Sequence, residues 1–363
     1  MATPTAFEVR SSVCPLDCPD TCQLHITVQD GQVVKLEGDP DHPFTRGFAC
    51  VKTYRYPQLH QHPDRLLHPI RRVGAKGEGK FERIGWEVAL DEIADRLQQV
   101  IDRWGPQAIL PYSYAGTMGW MQGQHALGLF RVLGCLELEW TICAATGGAA
   151  WEANYGPRKL SPDPEQLDQA ELIILWGINA MRSHSHLAPW IKAARQQGAS
   201  VLHIDPYRNE TSRFADEHWP IRVGTDAALA LALGGEILRQ GWQDQAYLDR
   251  VAGGLEAYRR AALDWPLERA ADFCGLPLDS IKRVAQAYGQ TRRSLIKIGY
   301  GLTRNEGGGN ALRAISLLPA LSGAWLQAGC GASLSTSGGF PLNTEQLGAR
   351  HVQPAERRRV NMN

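Results

Sequence analysis

Cys14, Cys18 and Cys22 stand four positions apart in the stretch CPLDCPDTC, and Cys50 follows 28 positions later, in a chain with eight cysteines in all. Thiols gathered this way form disulfides, exchange electrons with other thiols, or bind a soft metal as thiolates. Disulfides are the staple of short secreted chains. Here 363 residues, 44% of them hydrophobic, can bury one or two cores without covalent help. The opening MATPTAFEVRSSV holds neither an apolar leader of about 7–15 residues nor a twin-arginine pair, which suggests a cytoplasmic protein with reduced thiols. Zinc sites favour two short cysteine pairs. Three close thiols and one remote thiol suit a cubane [4Fe–4S] cluster better, with one loop surrounding three irons and a returning segment bringing the fourth ligand. Zinc and redox thiols stay open as alternatives on spacing alone.

The elements between these cysteines explain how the fourth can return. QLHITVQDGQVVKLEG alternates apolar and polar residues around Asp30-Gly31, a dipeptide suited to a two-residue hairpin turn, so the chain leaves Cys22 and comes back toward it. Lys52 sits two residues past Cys50; a solvated surface lysine is the plain reading of it, and a charge beside the thiolates the functional one. A basic, glycine-rich linker follows. WEVALDEIADRLQQVIDRW then has helical spacing at Val88, Leu90, Ile93, Ala94, Leu97, Val100 and Ile101, GPQAILPYSY reads as a short buried strand, and GQHALGLFRVLG as another helix.

From about residue 165 the pattern becomes strand, helix, strand: AELIILWGIN, HLAPWIKAARQQG, ASVLHIDP, then EHWPIRVG and a further helix. That order implies parallel strands with right-handed crossovers and a nucleotide site outside their carboxyl ends. Three stretches fall there: Trp176, Gly177 and Asn179 in WGIN; Asp205, Pro206 and Arg208 in DPYR; and Gly224, Thr225 and Asp226 in GTD. Asp205 suits ribose hydroxyls. Asp226 can take the donor edge of guanine, or it or Thr225 can simply cap the next helix. Gly299 and Gly301 open a glycine-rich loop before a helix, a geometry able to cradle phosphate or merely to turn. No stretch of about 18 apolar residues spans a membrane, and 38 basic against 38 acidic residues argue against a general nucleic-acid surface.

In this order the motifs resemble the molybdopterin oxidoreductases of the dimethyl sulfoxide reductase type, over almost the whole chain. The resemblance implies that Cys14, Cys18, Cys22 and Cys50 ligate a [4Fe–4S] cluster, that Lys52 lies between cluster and pterin, and that the three carboxyl-end stretches hold bis-molybdopterin guanine dinucleotide carrying molybdenum or tungsten. It also implies a slot for the metal's own protein ligand. Cys143 fits that slot; a buried, inert cysteine is the alternative, and a shift of two residues would put Ala145 there. Formate-oxidising members place a histidine after the metal ligand, whereas Ala144 follows here, which disfavours formate. His184 and His186 lie just past a cofactor-binding strand and can face the site, or position a helix.

The expected fold class is α/β: a small β-rich [4Fe–4S] domain (1–55), the first part of an outer α/β molybdopterin domain (56–155), an inserted Rossmann-like guanine dinucleotide domain (156–335) and a truncated return to the outer domain (336–363). Family members are roughly twice this long, so the resemblance implies that the C-terminal half and its barrel are missing. The expected activity is electron transfer between a small substrate at the metal and the cluster. Expected partners are that substrate, a redox partner protein or quinone-linked subunit, and a complementary C-terminal half. A non-catalytic iron–sulfur scaffold like the large subunit of complex I is the competing reading.

Overall fold

The computed structural model describes residues 7–362 apart from 115, 117–118, 157–160, 336–342, 344–345 and 353–356. Three antiparallel strands come first, β1 (Glu8–Val13), β2 (Gln23–Gln29) and β3 (Gln32–Gly38), in that spatial order. Asp30 (φ 54°) and Gly31 (φ 76°) are both left-handed, as the hairpin turn requires. Helices α1 (Val51–Tyr54) and α2 (Tyr56–His60) follow the fourth cysteine.

Residues 70–83 are not a plain linker. They form a hairpin of β4 (Ile70–Arg72) and β5 (Phe81–Arg83) on either side of the glycine-rich turn. Helix α3 (Trp86–Trp104) spans the expected segment, yet none of its residues is buried. The buried strand expected in GPQAILPYSY does not form. Pro106–Ala108 make a single 3-10 turn and residues 109–114 pair with no strand, because Pro106 pre-sets a turn and Pro111 removes a ladder donor. Helix α4 (Trp120–Val132), β6 (Glu137–Glu139) and α5 (Cys143–Tyr155) come next, and β12 (Arg359–Asn361) returns to pair in parallel with β6.

The central unit is a five-stranded parallel sheet of β7 (Leu172–Trp176), β8 (Ser200–Ile204), β9 (Glu217–Trp219), β10 (Ser294–Ile298) and β11 (Gly331–Ser333), in the order β11-β10-β7-β8-β9. Its helices are α6 (Ala180–Ser183), α7 (Leu187–Gln196), α8 (Glu210–Phe214), α9 (Asp226–Gln240), α10 (Gln245–Val251), α11 (Leu255–Leu263), α12 (Leu267–Cys274), α13 (Leu278–Gln290) and α14 (Gly308–Ser322). Strand side chains alternate faces. Ile174, Trp176, Ile204 and Ile296 enter one core with Trp151, Leu229, Leu233 and Ile315, while Ile173, Leu175 and Val201 enter the other with Trp190 and Ile191. Each fully buried Ile or Leu contributes about 1.5–3 kcal/mol, so these two cores on the sheet carry much of the fold's hydrophobic stabilisation. The chain winds outward from β7 to β9 and then crosses over to β10. The strand order therefore reverses between β7 and β10, a topological switch point, and ligands of such sheets bind outside the carboxyl ends there.

Candidate functional site

The first component is the cysteine loop. Cys14 N–H donates to Cys22 C=O at 2.9 Å, closing the loop between β1 and β2, and Thr21 adopts φ 49° to make the bend. Gly38 is needed where the returning segment crosses, since a Cβ there would sit 2.7 Å from the Gly47 carbonyl. That crossing delivers Cys50 to the start of α1, where the Thr53 hydroxyl lies 3.2 Å from Cys14 Sγ and 3.7 Å from Cys50 Sγ. All four cysteines are free thiols. Burial and then the Asp20 carboxylate push Cys18 up to about 11; for Cys22 the same causes, joined by the other three cysteines, push it up to about 12. Without a metal such a pocket is therefore costly for thiolates, and bound iron would relieve it, since a metal holds its thiols deprotonated. Among the described residues, no three His, Cys, Asp or Glu side chains gather as they would around a single ion. Three thiols of one loop with a fourth on the returning segment suit a cubane, in which each thiolate binds its own iron.

A second group of side chains clamps this loop to the parallel sheet. Asp20 is 2% exposed, with Oδ1 3.0 Å from His184 Nε2 and Oδ2 2.7 Å from His186 Nδ1. The His184 contact is close but makes no hydrogen bond, and among the described residues His184 Nδ1 is buried with no partner. His186 Nε2 is 2.6 Å from the Phe48 carbonyl, and its ring lies 3.7–3.8 Å from Cys22 Sγ. The two histidines thus face the cysteine loop, the positioning alternative of the two that the sequence left open, here for that loop. Lys52 Nζ donates to the Arg182 carbonyl at 2.8 Å, and its charge lowers the Cys18 thiol. It therefore spans from the cysteine loop to α6, immediately beyond Trp176–Asn179.

The third component is the switch point between β7 and β10. Gly177 is left-handed (φ 61°), and Gly299 and Gly301 press against it: a Cβ on either would lie 2.2 or 2.7 Å from the Gly177 carbonyl. These three glycines allow close backbone approach between the β7 and β10 ends. Asn179 is held by its neighbours, donating to Glu210 at 3.1 Å and accepting from the Thr211 hydroxyl at 3.0 Å. Asp205 Oδ1 accepts from the Tyr207 N–H at 2.9 Å, which turns the chain so that Pro206 and Arg208 are exposed. Gly224 is exposed and left-handed (φ 83°).

Simple capping by Thr225 or Asp226 is not what the structure contains. The Thr225 hydroxyl donates to the Arg222 carbonyl at 2.7 Å, and α9 has no side-chain cap bond. Asp226 is the first residue of α9. It is 6% exposed, and its Oδ1 accepts from Trp176 Nε1 at 2.8 Å. Burial pushes its carboxyl above the usual range, with the indole bond opposing. One carboxylate oxygen thus ties WGIN to GTD.

Cys143 completes the arrangement. It is the first residue of α5, 7% exposed, with Sγ 3.8 Å from the Tyr114 hydroxyl and 3.9 Å from the Arg304 guanidinium. The Thr303 hydroxyl donates to its carbonyl at 2.9 Å, so the loop after Gly301 and the start of α5 meet. The helix start and Arg304 place positive potential around this sulfur. Sequence reasoning missed Tyr114, Arg304, Asp20 and Lys297. Only Asp20 carried a signal, as an acid within a loop of thiols.

Known proteins resemble this chain over most of its length. The family described as Molybdopterin oxidoreductase matches residues 65–357, and the Molybdopterin oxidoreductase Fe4S4 domain matches residues 7–62. The chain is 39% identical over 341 residues to "Probable oxidoreductase YoaE" of Bacillus subtilis, covering 93% of this chain and 50% of that protein. It is 30% identical over 351 residues to "Dimethyl sulfoxide reductase DmsA" of Escherichia coli, covering 86% and 43%. The solved structure of acetylene hydratase from Pelobacter acetylenicus superposes with a TM-score of 0.69 at 23% identity, over 86% of this chain and 43% of that one, which shows a shared fold. The chain thus spans about half the length of these relatives. With its cysteine loop, parallel sheet and switch point, it belongs to the molybdopterin oxidoreductase family and carries that family's Fe4S4 domain.

Proposed function

We propose that this chain forms the front half of a molybdenum or tungsten oxidoreductase, with a [4Fe–4S] cluster on Cys14, Cys18, Cys22 and Cys50 and bis-molybdopterin guanine dinucleotide at the switch point. When bound, these groups supply the redox chemistry acting on a small substrate. The chain's own residues bind and orient. Asp226 offers its second oxygen to guanine while Trp176 fixes the first; Asp205 and Arg208 take ribose and phosphate; Gly177, Gly299 and Gly301 let the two strand ends approach; Cys143 faces the metal; and Lys52 bridges the two sites. One observation supports this most: Lys52 Nζ, from the cysteine loop, bonds the Arg182 carbonyl just past WGIN, joining the two sites.

The same reading includes a complementary half. Val88, Leu90 and Ile93 of α3 are 50–56% exposed, and β6 and β12 form a sheet of two strands. A helix with an apolar stripe needs a partner. The occupant we infer is the remaining polypeptide that makes the relatives about twice as long, whether in the same chain or a separate one. A redox partner protein or quinone-linked subunit would exchange the electrons. Metal and nucleotide analysis of protein prepared without oxygen, with the complementary half supplied, tests the reading. Molybdenum or tungsten with guanine nucleotide is expected. Iron alone would favour the non-catalytic scaffold. Among the described residues no helix is long and apolar enough to cross a membrane.

A further inference from the structure

Lys297 lies on β10, 3% exposed, where a charged side chain needs a reason. Its ammonium donates to the Leu334 carbonyl at 3.0 Å and to the Ser333 hydroxyl at 3.3 Å. Neither partner carries a charge. His184 lines the same small cavity as Lys297 and its Nε2 lies 3.0 Å from Asp20 Oδ1, so one ring stands between the lysine and the buried carboxylate of the cysteine loop, whose charge favours the protonated lysine while burial works against it. Asp20 also disfavours thiolates at Cys18 and Cys22. A negative charge enclosed beside four thiolates would hinder a cluster that gains further negative charge on reduction, and Lys297 offsets it.

We propose that Lys297 is a charge-setting residue for the [4Fe–4S] cluster, acting through Asp20: its ammonium favours the reduced cluster and couples cluster reduction to proton uptake at Nζ. The proposal rests on the cluster reading above. When one electron arrives from an external donor, the added negative charge raises the proton affinity of Nζ, which takes its proton from solvent. No bond in the protein is broken. Net charge and nearby charges are among the levers that set cluster potentials.

The surroundings agree with this role. Among the described residues, the titratable groups around Lys297 are His184 and Asp163, which line the same cavity of about 20 Å3, and Asp20, which lies behind His184. Strand β10 itself carries no other titratable side chain. His184 is held neutral by burial and by the lysine's own charge, with His186 adding to this, so it cannot replace that charge. Burial lowers Lys297 to about 8, within reach of ordinary buffers. The sign follows: below that value the lysine is charged and the cluster is easier to reduce, and as pH rises through it the potential falls.

The test is an EPR-monitored redox titration of the cluster-loaded protein from about pH 6.5 to about pH 9.5, in wild type, Lys297→Met and Lys297→Arg. In wild type the reduction equilibrium should weaken with rising pH, by up to tenfold per unit, or about 59 mV for one electron. Lys297→Met should be harder to reduce at low pH and insensitive to pH. Lys297→Arg, charged throughout, should stay near the wild-type low-pH potential. Adding Asp20→Asn to Lys297→Met should restore much of the lost potential, which a merely structural role would not do. A wild-type potential that does not change over this range would overturn the proposal even if the variants fail to load. Protein carrying no iron–sulfur signal would overturn the cluster reading beneath it.

Discussion

Asp226→Asn separates recognition from stability. In the wild type the carboxylate is 6% exposed and accepts a bond from Trp176 Nε1 at 2.8 Å. Asparagine keeps an oxygen for the indole, so the bond changes from charge-assisted to neutral, a loss of about 1 kcal/mol. Against this, the carboxyl is pushed above its usual range chiefly by burial. A group raised in the folded state contributes stability below its unfolded value, 3.8, and loses it as pH rises through the folded value. At neutral pH the buried charge therefore destabilises the fold, and the amide relieves it. The two effects oppose each other, so the net change near pH 7 should be within about 1 kcal/mol, and the variant should gain relative to wild type as pH rises from about 4. Asp226→Leu, which leaves the indole N–H buried and unpaired, should cost about 1–3 kcal/mol. Urea denaturation gives the stabilities, and chromatography of acid-released nucleotide gives guanine content. Asp226→Asn should lose most of its guanine at nearly unchanged stability. Full guanine content with a stability loss beyond about 2 kcal/mol would refute the reasoning and make Asp226 a structural brace.

Gly299→Ala would place a Cβ 2.2 Å from the Gly177 carbonyl, and backbone cannot swing aside, so a stability loss of about 1–3 kcal/mol or more should appear in thermal unfolding. Ile93→Asp, at a 56% exposed position, should change the stability of this chain by no more than about 0.5 kcal/mol yet abolish association with a complementary half in co-purification. Acidification below the ordinary imidazole range, 6.5, should destabilise the protein, because burial depresses His184 in the folded state and the unfolded chain then binds more protons; His184→Gln should flatten that pH dependence. Lys52→Ala should leave iron content intact and slow electron exchange between cluster and pterin in rapid-mixing experiments, since its Nζ is tied to a single exposed carbonyl.

Much of this site was legible because its chemistry lies in short local motifs. The three-plus-one cysteine spacing, the Asp30-Gly31 turn and the apolar run LIILW each specify their structure through neighbours close in sequence. What escaped depends on distant pairing. Asp226 reads locally as a helix cap, and only the fold brings Trp176, 50 residues earlier, to its carboxylate. His184 and His186 follow β7 in sequence, but the cysteine loop folds over them and Asp20 lies against both rings. Lys297 reads as the one charged position in a buried strand, and the carboxylate that favours its charge, Asp20, comes from the far end of the chain. Helix α3 was found from its spacing, while the exposure of its apolar face depends on which neighbours are present.

The central claim is that four thiols hold one cubane. It is tested most directly by measuring iron, acid-labile sulfide and zinc in the same oxygen-free preparation of wild type and Cys18→Ser. The account predicts about four irons and about four sulfides per wild-type chain, with both falling sharply in the variant. One zinc per chain with neither iron nor sulfide would contradict it.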